Sequence, residues 1–551
     1  MTLITKLELI KLYERHNCLI VDDMPEMRGA MKRMISTQGI ARIDTAANAQ
    51  EAMSMCRSRP YSLIICDYNL GRSQDGQQLL EALRAKKLLT PVGLFVMITA
   101  ETSREMVLGA IESQPDDYVA KPFTPKQFCL RLDRVLIKHE ALLPIKKLFA
   151  EKNYREAIEV CEKMLARGAK FAFEIERIKG RILFLLGELH KSREHYESIV
   201  EQRPLPWAML GLAETLVELG AMDQAEIILQ KVLAHDQRYV EARDLLARVH
   251  LSRSDIDKAQ EEIEHACKLS PKSVLRHRKL AEIAEANGDV KTSTRSFQHA
   301  IKWGMNSIHE DESDVYNFAR KAAHWARDSS TKESYEQAEK ARKILTRKLK
   351  DNPDDLDVQL KGGLILSSLE QAMNKPTAEK SNHEARQLFR DNASDDADCH
   401  LDYVQALQDA GETEEAEDHL HAMAAEFAGE SKVLAKIERA AATPVTQGSK
   451  EKVASLTKLG ISAYQNKDYR QATRVFQEAL AIFPNHPGLN LNLVQVLLEQ
   501  YDGAVTQRDA ALIKRCFERT QNVKEGDAQA ARAKALQTQF GETRIVDHYP
   551  T

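Results

Sequence analysis

The stretch Pro60–Gly71, PYSLIICDYNLG, constrains the fold more than any other part of this 551-residue chain. Leu63 to Cys66 form an unbroken apolar run, too short for a lone helix, that reads as a strand buried on both faces. The run stops at Asp67, and Asn69 and Gly71 behind it are turn formers. Strands of this kind belong to parallel sheets covered by helices, and such sheets bind ligands at the carboxyl ends of their strands. Asp67 stands at one of those ends. Taken alone, an aspartate there serves equally well as a turn residue or helix cap. The flanking sequence decides.

From Asn17 onward, strand-like runs alternate with amphipathic helical ones. Cys18–Val21 is followed by a helix over 27–38, Ile43–Ala46 by one over 49–57, and the Asp67 strand by one over 77–85. Gly93–Ala100 precedes a fourth helix over 104–113, and Asp117–Ala120 a fifth over 125–138. Five strand–helix units in succession predict an α/β doubly wound domain with a five-stranded parallel sheet. Polar residues then fall at four strand ends: Asp22 and Asp23, Asp67, Thr99, and Lys121. Three clustered carboxylates repel one another unless a cation lies between them, and oxygen-only ligands suit Mg2+. Lys121 adds a fixed positive charge and Thr99 a hydroxyl donor. Such a set stabilises phosphoryl transfer to a carboxylate.

Asp22-Asp23, Asp67, Thr99 and the run DDYVAKPF, ending in Lys121-Pro122-Phe123, resemble the receiver domain of bacterial two-component response regulators over about residues 15–139. The resemblance implies that Asp67 is the phospho-acceptor for a sensor histidine kinase or phosphotransfer protein. It implies that Asp22, Asp23 and Asp67, with the backbone carbonyl of Asn69, hold Mg2+. Lys121 would pair with the phosphoryl group, Thr99 hydrogen-bond to it, and Tyr118 be the aromatic switch. The Lys121–Pro122 bond would be cis, and Asn69 and Glu101 would tune the lifetime of the phosphoryl group. In one respect the chain departs from the family: Gly71 stands where a proline is usual, and the loop GRSQDG is a residue longer. The bland alternative is a doubly wound domain whose pocket no longer takes phosphate.

Beyond residue 140 the sequence is helical and periodic. The small residues Ala157, Ser192, Ala225, Ala259 and Ser293 recur at intervals of 35, 33, 34 and 34. Ile145, Gly180, Ala213, Ala247 and Ala281 stand twelve positions before them, and Gly220 and Gly288 mark turns. A helix–turn–helix period of about 34 residues is that of tetratricopeptide repeats. Residues 453–484 look most like that family, through Leu459, Gly460, Tyr469, Ala472, Phe476, Ala479 and Pro484. The expected organisation is a leader over 1–15, a receiver over 16–139, repeats over 140–302 and irregular repeats over 303–442. A linker over 443–449, C-terminal repeats over 450–540 and a frayed tail over 541–551 complete it. Pro144 fits the first turn of a new helix, so the last receiver helix is expected to pack directly on the repeats.

Other classes find less support. The formal net charge of −4 gives no reason to expect nucleic acid or an anionic membrane, and no apolar run is long enough to span a bilayer. The eight cysteines are scattered without a CxxC pair, as in a reduced cytoplasmic protein. No HExxH, glycine-rich phosphate loop or triad spacing occurs. Six basic residues over 338–350 read as a solvated helix face, and Trp207, Trp303 and Trp325 as core. The sequence therefore predicts a cytoplasmic, non-enzymatic response regulator. Its all-α solenoid would bind a protein or peptide under control of Asp67 phosphorylation, and a homodimer is compatible with this. Rival readings are a phosphate sink that drains a kinase, a DNA-binding transcriptional regulator, an inert spacer of repeats, and an enzyme within 303–442.

Overall fold

The structure is a computed structural model that describes residues 6–71, 74–100, 114–392, 394–500, 504–520 and 528–546, without the side chain of Arg508. The chain divides into two compact units, 1–321 and 322–551. The fourth helix expected over 104–113, and Glu101, lie outside the described residues.

The first unit opens with helix α1 (Lys6–Glu14), whose Tyr13 is buried and donates to Asp133 Oδ1 at 2.7 Å. Then follow β1 (Asn17–Val21), α2 (Pro25–Ser36), β2 (Arg42–Ala46), α3 (Ala49–Ser58), β3 (Leu63–Asp67), α4 (Gly76–Ala85), β4 (Leu94–Thr99) and β5 (Asp117–Ala120). The strands form one parallel sheet in the order β2-β1-β3-β4-β5. Every residue of β3 and β4 is buried, as a sheet covered on both faces requires. Alternate side chains feed two cores. Ile64, Cys66, Phe95 and Met97 meet α3 and α4 on one side. Leu63, Ile65, Val96 and Ile98 meet α2 and the helix after β5 on the other.

That helix, α5 (Pro125–Ala150), is a single 26-residue element with Pro144 inside it, so the expected new start at Pro144 is not observed. Proline removes one i→i−4 hydrogen bond. Packing on either side of it holds the helix together: Phe128, Leu132, Val135 and Leu136 are buried against the sheet, and Leu142 and Ile145 against Cys161 and Ile175 of the repeats. The first repeat thus borrows the end of α5 as its first helix. Its partner is α6 (Tyr154–Ala166). Four further pairs follow: α7 (Ala172–Leu185) with α8 (Leu189–Gln202), α9 (Pro206–Glu218) with α10 (Met222–His235), α11 (Val240–Ser252) with α12 (Ile256–Leu269), and α13 (Val274–Ala286) with α14 (Val290–Gly304).

The small residues picked out by period, Ala157, Ser192, Ala225, Ala259 and Ser293, are all completely buried where paired helices cross. The hairpin turns need a left-handed residue, which Gly220 and Gly288 supply and which Lys152 and Ser254 adopt without being glycine.

In the second unit the expected repeat over 453–484 is formed by the helices Gln447–Gln465 and Tyr469–Ile482. Ala472, Phe476 and Ala479 are buried there, and Gly460 lies against the Phe476 ring. Leu459 is exposed, and the inward stripe of its helix runs through Val453, Gly460 and Ala463. The tail is not wholly frayed: Arg544–Val546 pairs in parallel with Ala504–Thr506. All eight cysteines are free thiols. No helix among the described residues is long and apolar enough to cross a membrane.

Two glycines in the repeats should be intolerant for different reasons. A Cβ on Gly180 would lie 2.6 Å from the Tyr196 ring, whereas one on Gly220 would meet nothing but sits at a φ of 78°. Gly180→Ala should cost roughly 1–3 kcal/mol from overpacking, less the roughly 1 kcal/mol that alanine gains in helix propensity. Gly220→Ala should cost about 1–2 kcal/mol from backbone strain. Urea unfolding in a Tyr196→Leu background should abolish the first cost and leave the second unchanged.

Candidate functional site

The carboxyl ends of β1, β3, β4 and β5 meet at the point where the strand order reverses on either side of β1, and the chain there delivers carboxylates. Asp22 and Asp23 follow β1 at once, Asp67 is the last residue of β3, Thr99 the last of β4, and Lys121 follows β5. Backbone bonds fix these ends: Tyr68 N–H donates to the Ile98 carbonyl at 2.7 Å and Lys121 N–H to the Thr99 carbonyl at 2.6 Å. Asp22 is oriented by the Met24 N–H, 2.8 Å from its Oδ1, while Arg28 Nη1 donates to its carbonyl at 2.7 Å. Gly76 opens α4 so close to the acidic strand end that a Cβ would lie 2.4 Å from the Asp67 carbonyl oxygen.

Asp22, Asp23 and Asp67 each offer an oxygen within 4.8 Å of the others. Asp22 is 2 % and Asp67 9 % exposed, whereas Asp23 faces solvent. Lys121 Nζ bridges the two buried acids, 3.2 Å from Asp22 Oδ2 and 3.0 Å from Asp67 Oδ1. One ammonium against three carboxylates leaves the crevice under-compensated. Burial pushes the Asp67 carboxyl above its ordinary pKa; Lys121 opposes the rise, and the charges of Asp22 and Asp23 add to it. Burial works against the Lys121 charge as well, but its bond to Asp67 and the charges of Asp67 and Asp22 carry its pKa above the usual value. Three oxygen donors with one side open to water form a set that fits Mg2+, which retains part of its hydration shell. A bound divalent ion would neutralise the acids and polarise a phosphoryl oxygen beside them.

Residues 18–133 match the sequence profile of the response regulator receiver domain. Over 117 residues the chain is 31% identical to the chemotaxis protein CheY-3 of Vibrio cholerae, covering 88% of that protein and 21% of this one. The chain belongs to the response regulator receiver family. Behind the receiver, residues 183–249 and 463–504 match the tetratricopeptide repeat. The transcriptional regulatory protein SrrA of Staphylococcus aureus is 27% identical over 201 residues, 76% of its length and 36% of this chain. Among solved structures, the chemotaxis response regulator CheY4 of Vibrio cholerae aligns at 26% identity with a TM-score of 0.21, over 22% of this chain and 98% of that one. MamA of Desulfovibrio magneticus aligns at 20% identity and a TM-score of 0.27, over 30% of this chain and 93% of its own.

The receiver crevice brings Asp22, Asp23, Asp67 and Lys121 into one cluster. Thr99 is buried at the end of the neighbouring strand and shares a cavity wall with Asp67, Asn69 and Lys121. Tyr118 is half-buried and packs against the apolar cluster that contains Phe95 and Met97. The Lys121–Pro122 bond is cis. Two residues near the crevice were not expected there: Lys272 is unmarked in the sequence, and Trp303 is expected to be core. Lys272 and Trp303, from the repeats, line the same cavity as Asp67, so Trp303 is not simply core. No local pattern announces them, because about 200 residues separate them from the acids they approach.

Because the folded pKa of Asp67 lies above its unfolded value, the folded crevice prefers the protonated acid. Its ionised form costs stability at neutral pH, and that cost fades as pH falls through the folded pKa. Protons should therefore compete with Mg2+ above the ordinary aspartate range of about 3.9. Calorimetric titration should show Mg2+ affinity falling with pH while the pH is still above the ordinary aspartate range, where an unperturbed carboxylate would leave it unchanged.

Proposed function

We infer that this chain is a response regulator phosphorylated on Asp67 by a sensor histidine kinase or phosphotransfer protein, and that phosphorylation modulates protein binding by its tetratricopeptide array. The observation that carries the reading is the cluster of Asp22, Asp23 and Asp67 within 4.8 Å, with Lys121 spanning two of them. In the proposed step an Asp67 carboxylate oxygen attacks phosphorus, a P–O bond forms, the P–N bond to the donor histidine breaks, and the imidazole leaves after taking up a proton. Asp22, Asp23, Asp67 and the Asn69 carbonyl would hold Mg2+, which when bound would supply positive charge beside the phosphoryl oxygens. Lys121 exchanges its present pairing for the phosphoryl group, and Thr99 donates a hydrogen bond to it. Tyr118, one residue from the Asp117–Arg131 ion pair at 2.7 Å, is the proposed aromatic switch.

For output, the repeats offer what arrays of this kind provide, a long surface of stacked helix pairs suited to a protein or peptide ligand. The family matches at 18–133, 183–249 and 463–504 support a regulator whose output is interaction.

Acetyl phosphate with Mg2+ should label the full chain on one residue. Asp67→Asn should be unlabelled, and Asp23→Ala should lose both Mg2+ dependence and most of the label. Label retained on Asp67→Asn would mean that another residue is the acceptor. For output, pull-down with beryllofluoride-loaded and unloaded chain should recover a partner in amounts that differ between the two.

A further inference from the structure

The receiver and the repeats meet a second time, far along the chain from α5. The turn before α13 and the segment after α14 return to the receiver beside β3. Lys272 Nζ donates to the Tyr68 hydroxyl at 2.8 Å and to Asp75 Oδ2 at 2.9 Å. The ammonium also lies 4.8 Å from the Tyr68 ring centre and 5.5 Å from that of Trp303. Tyr68 is the residue after Asp67. Asp75 caps α4, its Oδ1 accepting from Gln78 N–H at 2.9 Å, so one carboxylate starts that helix and holds the repeats. Nearby, Gln74 donates to the Asn306 carbonyl and His309 Nε2 stands 3.7 Å from Glu81 Oε2.

Between these contacts lies a cavity of about 1040 Å³ into which Asp67 opens. Its receiver wall carries Asp23, Asp67, Asp75 and Glu81 against Lys121, and its repeat wall carries Lys272 and Lys302 against Glu241, with Arg276 already paired to Asp244 at 2.7 Å. An acidic wall faces a basic one. The indole N–H of Trp303 and the Oε1 of Gln77 are buried in this region without a hydrogen-bond partner, so the two walls are not fully satisfied as they stand.

We propose that the basic face formed by Lys272, Lys302 and Trp303 is a docking surface for the receiver's acceptor face, and that phosphorylation of Asp67 tightens it. The proposal rests on Asp67 being the phospho-acceptor. At constant Mg2+, phosphorylation replaces the single charge of the Asp67 carboxylate with about −2 on the acyl phosphate, a net gain of about −1 on the acidic wall, and projects acceptor oxygens into the cavity. The cations on the opposite wall, Lys272 and Lys302, belong to the repeats. A donor histidine comes from outside, so transfer belongs to the open arrangement, and the clasp closes over the product. Closure and phosphoryl retention are then linked, each favouring the other by the same factor.

The test uses the full chain, saturating Mg2+ and beryllofluoride as the phosphoryl probe. In the wild type, loading should slow amide exchange over 272–275 and 303–309. Lys272→Ala should weaken beryllofluoride binding by about 5-fold or more. Asp75→Asn, which keeps a good helix cap, should weaken it similarly, and the double variant no further. Unchanged affinity in both variants, or exchange that stays the same or quickens on loading, overturns the clasp. A wild-type chain that binds no beryllofluoride overturns the acceptor reading beneath it.

Discussion

Asp22 and Asp67 are taken out of water within reach of each other and of Asp23, and a single ammonium compensates all three. Carboxylates so placed repel by several kcal/mol at low effective dielectric, of the order of 4 kcal/mol per pair at 4 Å and an effective constant of 20. The fold sustains that repulsion because the acids sit on strand ends that cannot retreat: β3 is buried along its whole length and tied to β1 and β4 on either side. A rigid sheet keeps the charges together, and three clustered carboxylate oxygens are a donor set that fits a divalent cation. The rest of the first unit is arranged around that demand.

Two routes connect the crevice to the repeats. One is covalent and stiff, since α5 serves the receiver with Phe128 and Leu132 and the first repeat with Leu142 and Ile145. The other is the return contact at Lys272, which touches the residue beside Asp67 and the cap of α4. The helix fixes where the array begins, while the return contact is made of a few polar groups on separate elements.

Much of this was legible in the sequence, for physical reasons. Strand ends could be read because apolar runs such as Leu63–Cys66 stop abruptly at charged residues, and a parallel sheet gathers its strand ends in one place. The repeats could be read because helices that cross closely accept only small side chains, which left Ala157, Ser192 and Ala225 at a fixed period. Pro144 misled because a local rule about proline met strong packing on both of its sides. Lys272 and Trp303 were invisible because contacts between distant segments leave no periodic trace. The paired strands at 504–506 and 544–546 are too short to announce themselves.

A divalent ion should relieve the mutual repulsion of Asp22, Asp23 and Asp67. Calorimetric unfolding of the full chain, in chelator and across a Mg2+ titration, tests it most directly. The transition that contains the receiver should rise saturably with Mg2+, and Asp23→Ala should show no such rise. A wild-type transition indifferent to Mg2+ would contradict it.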